Sequence, residues 1–160
     1  MFTVTGSSTE EPVPFQKSGS MKSYKDLEIY KESKRLAIEI HKLSLTFPKF
    51  ELYEEGGQIR RSSKAITIAL VEGYGRRRYK ADFIRFLVYS QAECDETIEH
   101  LHFLFETGSF TGKDIYNRFF NEYDILSKKI NKFIQWVEEN WNDFPDNSTG
   151  NRKQVTGNRK

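Results

Sequence analysis

The sequence predicts an all-α fold, an antiparallel up-down-up-down four-helix bundle over residues 23–141. Three observations lead to this prediction. Apolar residues recur at the spacings of three and four that are typical of amphipathic helices. Strand-like alternation of apolar and polar residues does not compete with that pattern. The connections between the helical segments are short, so neighbouring helices should run antiparallel and cross at ~20°.

The first predicted helix runs from about Ser23 to Leu45. Ser23, followed three residues later by Asp26, has the form of an N-terminal capping signal. Pro48 ends the segment, because the residue before a proline avoids the α region.

The second predicted helix runs from about Glu51 or Leu52 to Glu72. A glycine in a helix interior costs ~1 kcal/mol relative to alanine, so Gly56-Gly57 also allows a start only at Gln58. The later run 73–75, Gly-Tyr-Gly, is expected to stop the helix, because glycine readily adopts positive φ.

The third helix is predicted from about Tyr79 to Thr107, and the fourth from near Thr111 to near Trp141. The third has the clearest seam, with alternating spacings of four and three, although its middle is small and polar. The seam comprises Phe83, Leu87, Ser90, Cys94, Thr97, Leu101 and Leu104. The fourth carries Ile115, Phe119, Tyr123, Leu126, Ile130, Phe133 and Val137.

The regions outside the bundle predict disordered tails. Residues 1–22 are rich in Ser, Thr, Pro and Gly and show no period. Residues 142–160 form a polar basic tail that contains TGNRK twice, at 149–153 and 156–160. The interpretation favoured for the repeat is a low-complexity remnant; the alternative is weak electrostatic affinity for nucleic acid.

Charge is segregated along the bundle. Residues 60–85 hold eight Lys or Arg against two acidic residues, whereas residues 93–106 hold five acidic residues and no Lys or Arg. The densest basic stretch lies at the second turn, where Arg can grip phosphates and Tyr can stack on unpaired bases. The candidate nucleic-acid-binding residues are Arg76, Arg77, Arg78, Tyr79, Lys80 and Arg85. The competing interpretation is a solvated turn whose charges meet acidic residues of another subunit.

Two further arginines are expected to be neutralised. If the second and third helices pair about a turn near residue 76, position 60 lies beside position 92. Arg60 and Arg61 should then neighbour Glu93, Asp95 or Glu96. Ion pairs with these residues or with a neighbouring subunit would neutralise them, and such pairs contribute only ~0–1 kcal/mol each.

The sequence does not predict an enzyme, a cofactor or a metal. Cys94 lies on the apolar seam, where a thiol usually acts as a small hydrophobe. The motif Glu99-x-x-His102 has di-iron spacing, but that chemistry needs two such motifs, and a solvated acidic face is favoured instead. Nucleophilic triads and phosphate-binding loops are not found in the sequence.

Composition favours a cytoplasmic protein without a membrane segment. A single cysteine cannot form an intrachain disulfide. Neither a secretory signal nor ~18 consecutive apolar residues are found. Aromatic residues off the main seams exceed what one small bundle buries, which predicts self-association. These residues are Tyr30, Phe86, Tyr89, Phe103, Phe105, Phe120 and Trp136.

Two blocks of the chain carry a family resemblance, a Gln-x-Arg-Arg block and a Glu-Gly-x-Gly-Arg block. The residues are Gln58, Arg60, Arg61, Glu72, Gly73, Gly75 and, further on, Glu96. With Tyr24-Lys25-Asp26-Leu27, they resemble the bacterial four helix bundle protein family, which includes proteins encoded in intervening sequences of 23S ribosomal RNA genes. The chain departs from the family where Thr67 replaces a usual Pro and Ala69 a usual Asn.

The resemblance implies a homo-oligomer, typically a pentameric barrel. A related branch, the accessory variability determinant of diversity-generating retroelements, binds a reverse transcriptase and its RNA through a basic surface. The leading hypothesis is therefore a non-enzymatic homo-oligomer that binds nucleic acid, RNA in preference to DNA. The alternative is a protein-interaction scaffold, such as an accessory subunit of a retroelement reverse transcriptase.

Overall fold

The computed structural model describes residues 21–143 and confirms the antiparallel up-down-up-down four-helix bundle. The helices are α1 (Glu28–Ser44), α2 (Glu55–Gly75), α3 (Lys80–Glu106) and α4 (Lys113–Glu139). Short 3-10 turns lie before α1 (Tyr24–Asp26), before α2 (Lys49–Leu52) and after α4 (Trp141–Asp143). The disorder predicted for residues 1–20 and 144–160 lies outside the described residues.

One apolar core runs the length of the bundle, and the predicted seams of α3 and α4 supply most of it. From α3 to α4, the fully buried side chains include Phe83, Leu87, Leu101, Leu104, Tyr123, Leu126 and Ile130. Leu36 and Ile40 of α1 and Ile59, Ile66 and Leu70 of α2 close the core from the other side. Ile115 is the exception on α4, since it remains exposed at the start of the helix.

Small residues bring α2 and α3 close together. The hydroxyl of Thr97 donates to Ser62 Oγ over 2.8 Å, and Ser90 Oγ donates to the carbonyl of Ile66 over 2.9 Å. At Gly73, an added Cβ would lie 3.0 Å from Phe86 Cβ. The small and polar middle of the predicted seam is therefore the surface on which α2 packs.

Charged pairs link α1 to α4. Lys129 Nζ donates to Glu28 over 2.8 Å and to Glu32 over 2.7 Å. The hydrogen bond from Lys129 lowers the pKa of Glu28. Further along the two helices, Arg35 and Arg118 form a second network of ion pairs, which joins Glu39 of α1 to Glu122 of α4. These contacts fix the relative height of the two helices.

The glycine pair at the start of α2 lies inside the helix, so the predicted start at Gln58 is wrong. Gly56 donates its backbone N–H to the buried Glu51 Oε2 over 3.1 Å, while Ser109 Oγ donates to Glu51 Oε1 over 2.6 Å. A Cβ on Gly56 would lie 2.3 Å from the Glu51 carbonyl oxygen. The glycine is needed for this close approach, and the Glu51 carboxylate compensates for the weak local propensity by capping the first turn.

The C-terminal end of α2 also differs from the prediction. The helix continues through Gly73 and ends at Gly75, and neither glycine has positive φ. Within residues 21–143, positive φ occurs only at Gly108, in the turn after α3. Gly73 is explained by its contact with α3 rather than by a turn.

The start of the first helix also differs from the prediction. The capping box of Ser23 closes the 3-10 turn, and α1 begins five residues later.

Cys94 is fully buried, as predicted, and its thiol donates to the Tyr123 carbonyl over 3.4 Å. Burial raises the pKa of this thiol to about 12, and the negative charges of Asp95 and Asp124 add to the shift. The thiol is therefore protonated at neutral pH.

None of the described helices is long and apolar enough to cross a membrane.

Replacing Gly56 with alanine should destabilise the bundle by about 1–3 kcal/mol, because the methyl group must displace the backbone at Glu51. The matched control is Gly75→Ala, since a Cβ there meets nothing within 4 Å. That variant should be neutral or more stable by up to ~1 kcal/mol. Urea unfolding followed by circular dichroism measures both, and equal effects of the two substitutions would contradict the close approach.

The Cys94 thiol should not react with Ellman's reagent in the native protein at pH 8, because it is both buried and protonated. In denaturant, where the ordinary thiol pKa is restored, one equivalent should react. Raising the pH to 9 should leave the native thiol unreactive. Rapid native labelling at pH 8 would contradict the raised pKa.

Candidate nucleic-acid interface

The basic turn lies at one end of the bundle, where α2 passes into α3. The backbone N–H of Arg76 donates to the carbonyls of Glu72 and Gly73, and that of Tyr79 donates to the Arg76 carbonyl over 2.9 Å. These bonds hold the four residues 76–79 in a tight connection between two rigid helices. The side chains of the turn are thereby presented from a fixed backbone.

Arg77 packs into the turn. Its guanidinium lies over the Tyr74 ring, 4.1 Å from the centroid, and its Nη1 donates to the Tyr74 carbonyl over 2.8 Å. The residue is only half-exposed. We interpret Arg77 as a group that shapes the turn.

Lys80 and Arg85 have partners within the fold. Lys80 Nζ donates to the Glu138 carbonyl at the end of α4 over 2.8 Å, where the helix dipole favours a cation. Arg85 forms an ion pair with Asp82 one turn before it. Both charges still add to the positive potential of this end of the bundle.

Arg76, Arg78 and Tyr79 are exposed, as are Lys80 and Arg85, whose charged groups have the partners described above. The guanidinium of Arg76 lies 4.9 Å from the centroid of the Phe86 ring. Tyr79 is 63% exposed, so its ring is accessible to a ligand. The structure therefore brings together two arginines that can grip phosphate and one ring that can stack on a base.

The start of α1 adds basic residues that the sequence did not point to. Tyr24 packs edge-on against Tyr74, with ring centroids 6.1 Å apart, and against Tyr30, with centroids 5.0 Å apart. This aromatic cluster carries the start of α1 to the end of α2. Three exposed lysines lie in the same segment of the chain, namely Lys25, Lys31 and Lys34. Lys34 Nζ lies 5.8 Å from the Tyr30 centroid.

We call the surface formed by Lys25, Lys31, Lys34, Arg76, Arg78 and Tyr79 the basic end. The lysines are about fifty residues from the turn in sequence, so only the pairing of α1 with α2 reveals them. The signal that could have found them is the Tyr24-Lys25 pair at the start of the first helix.

Arg60 corrects a prediction. It donates to Ser44 Oγ over 3.1 Å and to the Leu52 carbonyl, so it joins the two ends of the α1–α2 connection. Within residues 21–143 no ion pair joins Arg60 or Arg61 to an acidic residue of α3. The predicted pairing of position 60 with position 92 is displaced by more than one turn, since Ser62 lies beside Thr97. Arg60 also lies on the side of α2 that faces α1. Arg61 is exposed on the outer side of the helix.

The remaining motif residues do not converge on one site. Gln58, Glu72 and Gly75 are exposed along α2, whereas Gly73 is buried against α3. Glu96 accepts from His100 over 3.3 Å. Two motif residues, Arg60 and Gly73, thus have clear structural roles.

The acidic half of α3 forms local pairs with histidines. His100 lies between two carboxylates: its Nδ1 is 2.7 Å from Glu55 Oε2, and its Nε2 is 3.3 Å from Glu96 Oε1. His102 Nδ1 is 3.4 Å from Glu99. Burial raises the pKa of Glu93, and the charge of Glu96 raises it further. Across the part of the chain that the structure describes, no group of three metal-binding side chains converges.

Comparison with known proteins agrees with this architecture. The model of the 23S rRNA-intervening sequence protein family matches residues 25–132. A crystal structure of a protein with unknown function from the S23 ribosomal protein family of Bacteroides thetaiotaomicron has the same fold, with a TM-score of 0.61 and 24% identity. That similarity covers 67% of this chain and 95% of the other. None of the curated proteins matches the chain.

The family match includes all of α1, α2 and α3 and most of α4, together with the basic turn. It also includes the Gln-x-Arg-Arg block at 58–61 and the Glu-Gly-x-Gly-Arg block at 72–76. The chain belongs to the 23S rRNA-intervening sequence protein family.

Proposed function

We propose that the chain is a non-enzymatic, homo-oligomeric helical bundle that binds RNA through the basic end. The observation that carries the proposal is that exposed Arg76 and Arg78 lie at the end of the bundle to which the contact of Tyr24 with Tyr74 brings Lys25 and the start of α1. Repulsion between these charges is relieved when they neutralise phosphates and release counterions.

RNA is favoured over DNA by the exposed ring at the turn. Tyr79 stands next to two arginines, and proteins that recognise RNA commonly stack such rings on the unpaired bases of loops and bulges. The family description, which names an intervening sequence of 23S rRNA, makes a structured ribosomal RNA segment a sensible first ligand.

The absence of catalysis is part of the proposal. The cysteine is buried and protonated, and the acidic residues near His100 and His102 are arranged in local pairs on the rim of the bundle. A cytoplasmic location is also part of the proposal, because RNA is available there and the lone cysteine needs no oxidising compartment.

Self-association is supported by large apolar side chains at the surface. Among the aromatics noted in the sequence, Tyr89 and Phe103 are 50% and 54% exposed. Others are packed after all: Phe105 stacks on Tyr116 with centroids 4.2 Å apart, and Phe120 stacks on His102. Fewer of these aromatic side chains are exposed than the sequence suggested, and the two that are, Tyr89 and Phe103, both lie on α3.

A second candidate function is a protein-interaction scaffold, such as an accessory subunit of a retroelement reverse transcriptase. The α1–α2 connection favours it, because Phe50, Leu52 and Tyr53 are 63%, 41% and 86% exposed in one short segment. Such a cluster at the end opposite the basic end would suit a protein partner.

The chain should bind a structured RNA with an affinity that falls steeply as salt rises. Replacing Arg78 with glutamine should weaken binding of every RNA tested and reduce the salt slope by about one, as expected for a lost phosphate contact. Fluorescence anisotropy at several salt concentrations measures both quantities.

The matched control is Lys113→Gln, which removes one exposed positive charge at the opposite end of the bundle. Its affinity and salt slope should equal those of the unchanged protein. Equal losses in the two variants would mean that binding depends on net charge alone. No binding at low salt would refute the proposed function and favour the scaffold.

The purified chain should be larger than a monomer in solution. Size-exclusion chromatography with light scattering should give a multiple of the 18.8 kDa chain mass, and five copies would match the family expectation. A monomer across the whole soluble concentration range would contradict the homo-oligomer without affecting RNA binding.

A further inference from the structure

An arginine and two aromatic rings lie in a row beside the basic turn. The guanidinium of Arg76, in the turn, lies over the Phe86 ring of α3, 4.9 Å from the ring centroid. Phe86 meets the Tyr89 ring edge to face, with centroids 5.4 Å apart. The contacts therefore lead from the basic end onto the first half of α3, and we call Arg76, Phe86 and Tyr89 the aromatic row.

The packing of α2 on α3 holds the aromatic row in place. A Cβ on Gly73 would lie only 3.0 Å from Phe86 Cβ, so the two helices are in close contact at this level. Phe86 and Tyr89 are three residues apart on α3, and residues at this spacing lie on the same side of a helix. The row is thus built across two rigid helices, and a ligand would find its rings and its charge already positioned.

Arg76 and Tyr89 are the exposed members of the aromatic row. Tyr89 is 50% exposed, and its edge-to-face contact with Phe86 covers at most one face of its ring. Arg76 contacts Phe86 through the flat face of its guanidinium, whereas a phosphate is bound at the N–H edges. Arg76 can therefore hold a phosphate while Tyr89 stacks on a base.

Arg76 is connected to two exposed rings. Tyr79, which is 63% exposed, donates its backbone N–H to the Arg76 carbonyl over 2.9 Å, and Tyr89 is reached through Phe86. Proteins that bind single-stranded nucleic acid combine cations along the backbone with rings on which bases stack. In a duplex the faces of the bases are already stacked on each other, so a duplex offers only its phosphates to these residues.

Carboxylates limit the aromatic row at its far end. Glu93 lies one turn beyond Tyr89 on α3, and the exposed Glu72 lies one turn before Arg76 on α2. Both would repel a phosphate, whereas the stacking of a neutral base on a ring does not depend on a net charge. Tyr89 is therefore suited to a base, and the phosphates are expected at the turn.

We propose that the basic end takes a single-stranded stretch of RNA, with a phosphate at Arg76, one unpaired base on Tyr79 and another on Tyr89. The inference rests on the RNA binding of the proposed function. It adds Tyr89 as a binding residue and names unpaired nucleotides as the form of RNA that is preferred. The sequence did not point to Tyr89, because only the contact of Arg76 with Phe86 connects it to the turn.

Replacing Tyr89 with alanine should weaken the binding of a hairpin RNA with an unpaired loop by about 5- to 100-fold, because one stacked base is lost. The affinity for a fully paired RNA of the same length should not change. The salt slope should also stay the same, since a neutral ring releases no counterions. Tyr89→Phe should bind like the unchanged protein, because it keeps the ring. Fluorescence anisotropy over a salt series measures these quantities.

The matched control is Tyr53→Ala, which removes an 86% exposed tyrosine at the opposite end of the bundle. It should bind both RNAs like the unchanged protein, and circular dichroism should show native helix content in every variant. Light scattering should give the same mass for Tyr89→Ala as for the unchanged protein. A lower mass would place Tyr89 between copies of the chain and would overturn the inference.

Two other results would overturn the inference while leaving the proposed function intact. One is a Tyr89→Ala variant whose affinity for the hairpin is unchanged, and the other is an equal loss of affinity for the hairpin and the paired RNA. In both cases the loss expected for Arg78→Gln would still report RNA binding at the basic end. An unchanged protein that binds neither RNA would refute the proposed function itself.

Discussion

The close contact between α2 and α3 is the constraint on which the rest of the structure depends. It is made by hydroxyls and a glycine, with Ser62 against Thr97, Ser90 against the Ile66 carbonyl and Gly73 against Phe86. Larger side chains at these positions would force the helices apart, since interiors are close-packed and tolerate little added volume. Close packing allows a connection of only four residues, and a connection so short must present its arginines from a rigid backbone.

Charged residues divide into those that hold the bundle together and those that remain on its surface. Lys129, Arg35 and Arg118 bridge α1 and α4 and are engaged with carboxylates of the same chain. Exposed ion pairs of this kind contribute little stability individually, but they set the height of one helix against the other. Among the other charges, basic side chains are dense at the basic end and acidic ones in the second half of α3, while Arg61, Lys113 and Lys132 are exposed elsewhere.

The sequence was sufficient for the fold because the apolar spacing of α3 and α4 reports directly which side chains are buried. It was insufficient wherever a distant backbone group decided the outcome. Local propensity argued against Gly56 inside a helix, yet the Glu51 carbonyl requires a residue without a Cβ. Helix register predicted neither the height of Arg60 nor its side of α2, because Ser62 lies beside Thr97 and Arg60 faces α1. The lysines of α1 belong to the basic end only because Tyr24 packs on Tyr74, a contact between residues fifty apart.

The proposed homo-oligomer explains why a modest basic surface can suffice. Each copy offers two exposed arginines, one exposed tyrosine and three lysines, which amounts to few phosphate contacts. The proposed homo-oligomer holds several basic ends in one assembly. An RNA held by one copy then meets the next basic end at high effective concentration, and several weak contacts add without any new interaction.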